Sequence, residues 1–80
     1  MPKYSALRRH LEGVAGTPIE MTFDEVADIV GGLPPSARRH SAWWSNERDG
    51  RHVQAHAWMD AGWRVDNANL TAEKVRFTKS

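Results

Sequence analysis

The sequence contains no cysteine, so neither a disulfide framework nor a thiolate metal site can form, and packing alone must hold the chain. It has no apolar run near the roughly 20 residues of a membrane helix. Behind Met1-Pro2-Lys3-Tyr4 it also lacks the apolar core, roughly 7–15 residues long, of a secretory signal, so a soluble cytoplasmic protein is expected. There is no internal repeat, no low-complexity tract and no glycine- and serine-rich linker. A large excess of one charge is missing too: 11 Lys and Arg against 10 Asp and Glu leave +1, far from a polybasic protein.

Catalytic signatures are equally scarce. No serine sits in a glycine-flanked elbow, and Gly31-Gly32 follows a helical pattern, which makes it a stop signal instead of a phosphate loop. Asp24 with Asp28, and Glu47 with Asp49, are explained by capping and turn chemistry. His52, His56 and Asp60 stand four apart and could offer two imidazoles and a carboxylate from one side of a helix. The glutamate that follows the first histidine in metalloprotease helices is replaced here by Val53, however. The expectation is a protein without catalysis, cofactor or metal, with a metal-dependent nuclease on that triad as the weakest reading.

What is present is enough for one small domain spanning residues 1–80, burying roughly 60% of the surface exposed when unfolded. Tyr4, Leu7, Leu11 and Val14 recur at helical spacing, predicting a helix over 3–14. Ile19, Met21 and Phe23 alternate with Glu20 and Thr22, as in a short strand entering a helix. Thr22-Phe23-Asp24-Glu25 fits a capping box, and Phe23, Val26, Ile29 and Val30 give the next helix its apolar stripe, ended by Gly31-Gly32. Leu33-Pro34-Pro35 breaks the chain, and Pro35 opens a short helix to about His40. A third main helix is predicted over 51–61, with Val53, Ala57 and Ala61 on the inner face and Gln54 and Trp58 beside it. Trp63-Arg64-Val65 and Val75-Arg76-Phe77 alternate as a C-terminal β-hairpin, with the turn formers Asp66-Asn67-Ala68-Asn69 between them.

The fold class predicted is therefore α+β, with three main helices, a short strand and a C-terminal hairpin. This is the element order of a winged-helix domain, although about eighteen residues separate Gly32 from Arg51 where a helix-turn-helix uses three or four. The run Ser36-Ala37-Arg38, Trp43-Trp44-Ser45-Asn46, Gln54-Ala55, Ala57-Trp58 and Ala61-Gly62-Trp63 resembles a small uncharacterised bacterial and phage domain family, over nearly the whole chain from Tyr4 to Phe77. Members of that family stand alone or beside nuclease-type domains, so the resemblance implies a nucleic-acid role and assigns no catalytic residue.

Charge is segregated along the chain. Residues 18–33 carry Glu20, Asp24, Glu25 and Asp28 with no cation (−4), whereas 34–56 carry Arg38, Arg39, Arg48 and Arg51 against Glu47 and Asp49 (+2). The expected function is binding of nucleic acid, double-stranded DNA first. In this reading Arg38, Arg39, Arg48 and Arg51 hold phosphates, and Ser45 and Asn46 bond backbone or base edges. Trp44 is a stacking ring if it is the exposed one of Trp43 and Trp44, and Arg64, Lys74 and Arg76 brace the flank. Gln54 has two readings: buried, fixing the irregular link by bonding its backbone, or exposed, where an adenine-reading amide would sit. The rival function is a protein-interaction module, a phage inhibitor or antitoxin-like partner, with an exposed tryptophan and arginines as its hot spot.

Overall fold

A computed structural model of the chain describes residues 3–47 and 53–80. Along these residues run α1 (Ser5–Glu12), β1 (Ile19–Thr22), α2 (Phe23–Val30), α3 (Pro35–Arg39), a 3-10 turn (Ser41–Trp44), α4 (Ala55–Met59), β2 (Trp63–Asn69) and β3 (Lys74–Lys79). No helix among them is long and apolar enough to cross a membrane. The result is a small α+β domain whose three strands form one antiparallel sheet in the order β1-β3-β2.

Local chemistry sets most element ends. At the start of α2 the Glu25 amide donates to Thr22 Oγ1 (3.0 Å) and the Thr22 amide donates to Glu25 Oε1 (2.9 Å), which closes the predicted capping box. The Thr22 amide first, and the Thr22 hydroxyl with it, hold the Glu25 carboxyl below its ordinary pKa. At the other end Gly31 takes φ 79°, and the Gly32 amide donates to Ala27 O (2.8 Å), the left-handed termination that glycine permits without a Cβ penalty. Pro35 opens α3 at its first position, where the missing amide hydrogen costs nothing.

Three predicted boundaries are corrected. The first helix is shorter at both ends, because Tyr4 turns aside to pack its ring edge-on against Trp43 and Gly13 closes the C-terminus. The third main helix covers only Ala55–Met59, with residues 51 and 52 outside the described part. Its inner face is Gln54, Ala55, Ala57 and Trp58, while Val53, expected inside, is 64% exposed. The Trp58 ring, fully buried, rotates the helix to this face and leaves Val53 at the rim.

The hairpin strands are longer than predicted. Asp66-Asn67-Ala68-Asn69 continues β2, with a bulge between Val65 and Asn67, and the reversal falls at 70–73 instead. Pairing with Lys74–Arg76 overrides the turn propensity of these residues. Asn69 Oδ1 accepts from the Ala72 amide (3.0 Å) inside the tighter turn.

The core lies between the sheet and the helices. Phe23 stacks on Trp44 (5.0 Å, 17°), Trp44 stacks on Trp58 (6.0 Å, 23°), and Trp58 meets Phe77 (5.8 Å), so one aromatic column runs from α2 to β3. Trp43 and Trp44 are both buried, which corrects the expectation that one would stand outside. An extended pair would point opposite ways, but the 3-10 turn spaces successive side chains by a third of a turn, and the two rings meet edge-on at 4.6 Å inside. The indoles of Trp44 and Trp63 donate to Ala37 O (2.8 Å) and Leu11 O (3.0 Å), which ties α3 to the 3-10 turn and α1 to β2.

Candidate functional site

Two of the polar residues predicted to touch nucleic acid, Asn46 and Gln54, hold the irregular link. The Asn46 amide is engaged three times: Nδ2 donates to Val65 O (2.9 Å), while Oδ1 accepts from the Val65 amide (2.8 Å) and the Trp58 indole (2.9 Å). It thereby pairs with the outer edge of β2 as a short strand would, and it satisfies an indole that has no access to water. Gln54 is buried, and its Nε2 donates to Trp43 O (2.8 Å), the first of the two readings given above. No buried side-chain nitrogen or oxygen is without a partner among the described residues.

Arg38 is also engaged. Its terminal nitrogens donate to Asp24 Oδ1 (2.9 Å) and Glu73 Oε1 (3.2 Å), so one guanidinium joins α3 to the first turn of α2 and to the β2–β3 turn. Glu73 is further held by its carbonyl, which accepts from the Phe23 amide (2.8 Å). Two carboxylates on one guanidinium leave little positive field for a phosphate. Lys74 faces Glu20 and Arg76 faces Asp66, each at 3.7 Å, so two of the three flank cations are paired across the sheet.

Trp44, at 2% exposure, offers no face to a base. Ser45 is half-buried behind the 3-10 turn, its amide donating to Ala42 O. Arg39 and Arg64 are exposed and make no ion pair among the described residues. Arg48 and Arg51 lie outside the described residues, as does His52. The two remaining members of the metal triad, His56 and Asp60, belong to no cluster of three metal-ligating side chains among the described residues.

The sequence reading missed a concave feature among the described residues. A cleft of about 460 Å³ opens between α1 and α4, with Tyr4 and Ala57 among its walls, Val53, His56 and Asp60 on the α4 side, and Lys3 and Arg8 on the α1 side. Its walls are almost entirely carbon. Partial burial raises the pKa of the Tyr4 phenol, which therefore stays neutral in the cleft. The signal in sequence is weak, because periodicity puts Val53 on the inner face of its helix, and Arg8 is one of several charged residues in the first helix.

No curated protein and no solved structure matches the chain. Residues 4–80 match the family described as a domain of unknown function, DUF7662, and the chain belongs to that family.

Proposed function

We propose that the protein is a non-catalytic nucleic-acid-binding module of winged-helix type that contacts double-stranded DNA through the segment ahead of α4. The observation that carries this reading is the anchoring of both ends of that segment. Asn46 is fixed to β2 and Gln54 to the 3-10 turn, so described residues on both sides of Arg48 and Arg51 in the sequence are held in place. The element order and the β1-β3-β2 sheet support it by analogy, since a winged-helix domain also places its third helix ahead of a hairpin that pairs with an early strand. Arg39, exposed and without an ion pair among the described residues, is a further cation available to a phosphate.

A titration of a fluorescent random duplex at two or more salt concentrations tests the reading. Three arginine–phosphate contacts, from Arg39, Arg48 and Arg51, give a log–log slope of about −2.7, at about −0.9 per contact. Replacing any one by alanine flattens the slope by about 0.9. Absence of duplex binding at low salt, or a slope unaltered in the Arg48→Ala/Arg51→Ala variant, refutes it.

A further inference from the structure

We infer that the cleft between α1 and α4 is a docking site for a partner polypeptide, which inserts a large apolar side chain flanked by acidic residues. The inference does not rest on the nucleic-acid reading, since its argument uses the cleft walls and none of Arg39, Arg48 and Arg51. Three observations converge on it. First, Val53 is the one large hydrophobic side chain exposed among the described residues, at 64%, and it stands at the rim of the cleft. An isolated exposed apolar residue needs no explanation, but one beside a carbon-lined recess makes a continuous apolar surface.

Second, the recess has the dimensions and chemistry of an anchor pocket. Its volume of about 460 Å³ lies within the range of roughly 300–1,000 Å³ found for small-ligand sites. Carbon walls discriminate between occupants. A nucleobase seated against these walls has most of its ring and carbonyl acceptors on carbon, at about 1–3 kcal/mol for each polar group left unpaired, whereas an aliphatic or phenyl side chain has none to lose. The anchor is accordingly apolar, as in the central pockets of protein interfaces.

Third, the charge around the mouth selects the flanks. α1 and its approach carry Lys3, Arg8 and Arg9 against the single carboxylate of Glu12. Lys3 has no partner among the described residues, and Arg8 gives only Nε to Glu12 (3.3 Å), which keeps its terminal nitrogens for another oxygen. On the opposite wall Asp60 already has a partner. Acidic side chains that approach the anchor along α1 therefore meet the cations of Lys3 and Arg8, and basic ones are repelled.

The test is selection of a phage-displayed random 12-mer peptide library on the immobilised full chain, followed by anisotropy titration of the enriched peptides. Enriched sequences are expected to share one Leu, Ile, Phe or Met with Asp or Glu nearby. Val53→Glu is expected to weaken their binding at least tenfold while leaving the melting temperature unchanged, since the side chain is exposed. Lys3→Glu should weaken binding and reduce its salt dependence, and alanine in place of the peptide's apolar residue should abolish it. Enrichment of peptides with basic flanks, binding that survives Val53→Glu, or no enrichment at all overturns the inference. So does capture of unpaired oligothymidylate by the wild type and not by Val53→Glu, which would give the cleft to a base. Duplex binding measured on a Lys3→Ala protein separates the two readings, because Lys3 lines the cleft and lies outside the segment ahead of α4.

Discussion

Asn46→Ala is expected to destabilise the domain by about 2–4 kcal/mol, a loss that follows from three hydrogen bonds on one amide. The largest part comes from Trp58, whose indole donates to Asn46 Oδ1 from a fully buried ring and is orphaned by the substitution. Leaving such a donor unsatisfied costs about 1–3 kcal/mol. The two bonds to Val65 add about 1 kcal/mol together, the low end for two net hydrogen bonds because water can reach the edge of β2 once the side chain is gone. Eighty residues at about 0.05–0.15 kcal/mol each have a total stability of about 4–12 kcal/mol, so the loss is a large fraction of it. At about 4–8 °C per kcal/mol for a domain this size, the melting temperature falls by roughly 8–30 °C, measured by tryptophan fluorescence or calorimetry. A double-mutant cycle identifies the cause. In Asn46→Ala/Trp58→Phe no indole N–H remains to be orphaned, so the pair is expected to cost about 1 kcal/mol less than the sum of the two single variants. A fall of less than about 4 °C for Asn46→Ala, or strict additivity in the cycle, refutes this account of the residue.

Trp58→Ala should cost about 3–5 kcal/mol, the range for a buried aromatic side chain, and an unchanged melting temperature would show that the aromatic column does not hold the sheet to the helices. Arg38→Ala is expected to lower stability by about 1 kcal/mol or less, since both its carboxylate partners are solvent-exposed, and to leave the salt slope of duplex binding unaltered; a slope flatter by about 0.9 would return Arg38 to the phosphate contacts. Glu25 has its carboxyl pKa lowered by its bonds to Thr22, so its contribution to stability is fully present above the ordinary value of 4.5 and is lost as pH falls through the lower folded value. Glu25→Gln keeps the reach-back bond without the titration, and thermal melts between pH 3 and 6 should lose that part of their acid dependence; an identical acid profile for the two proteins would contradict the sign.

What the sequence made legible was chemistry acting over three or four residues. The capping box of α2, its glycine stop and the proline that opens α3 each depend on neighbours along the chain, and each was found where expected. The 3-10 turn at 41–44 was not foreseen, because four residues carry no period, and with it went the inward placement of both Trp43 and Trp44. The pairing of Ile19 with Phe77 is set by a distant strand and left no local mark, and the same distant pairing drew Asp66–Asn69 out of the turn their composition predicts. Val53 shows the limit of periodicity on a short helix: with only Ala55–Met59 helical, one buried tryptophan decided the inner face.

The exchange of roles at Asn46 and Gln54 bears on what kind of recognition remains. Both are amides of the type that reads adenine edges, and both are engaged in holding the link, Asn46 by three bonds to β2 and Trp58 and Gln54 by a bond to Trp43. Arg38 is tied to Asp24 and Glu73, so a phosphate would compete with two carboxylates for its guanidinium. The groups left for nucleic acid in the proposed reading are arginines, Arg39 with Arg48 and Arg51, whose natural contacts are phosphates or guanine edges. Binding by such a set depends on salt more than on sequence. A comparison of random, A·T-rich and G·C-rich duplexes at one ionic strength should therefore show affinities within about tenfold of one another, with any preference toward guanine. A strong preference for adenine tracts would mean that an amide reads bases after all, and that Asn46 or Gln54 leaves its backbone partner when DNA is bound.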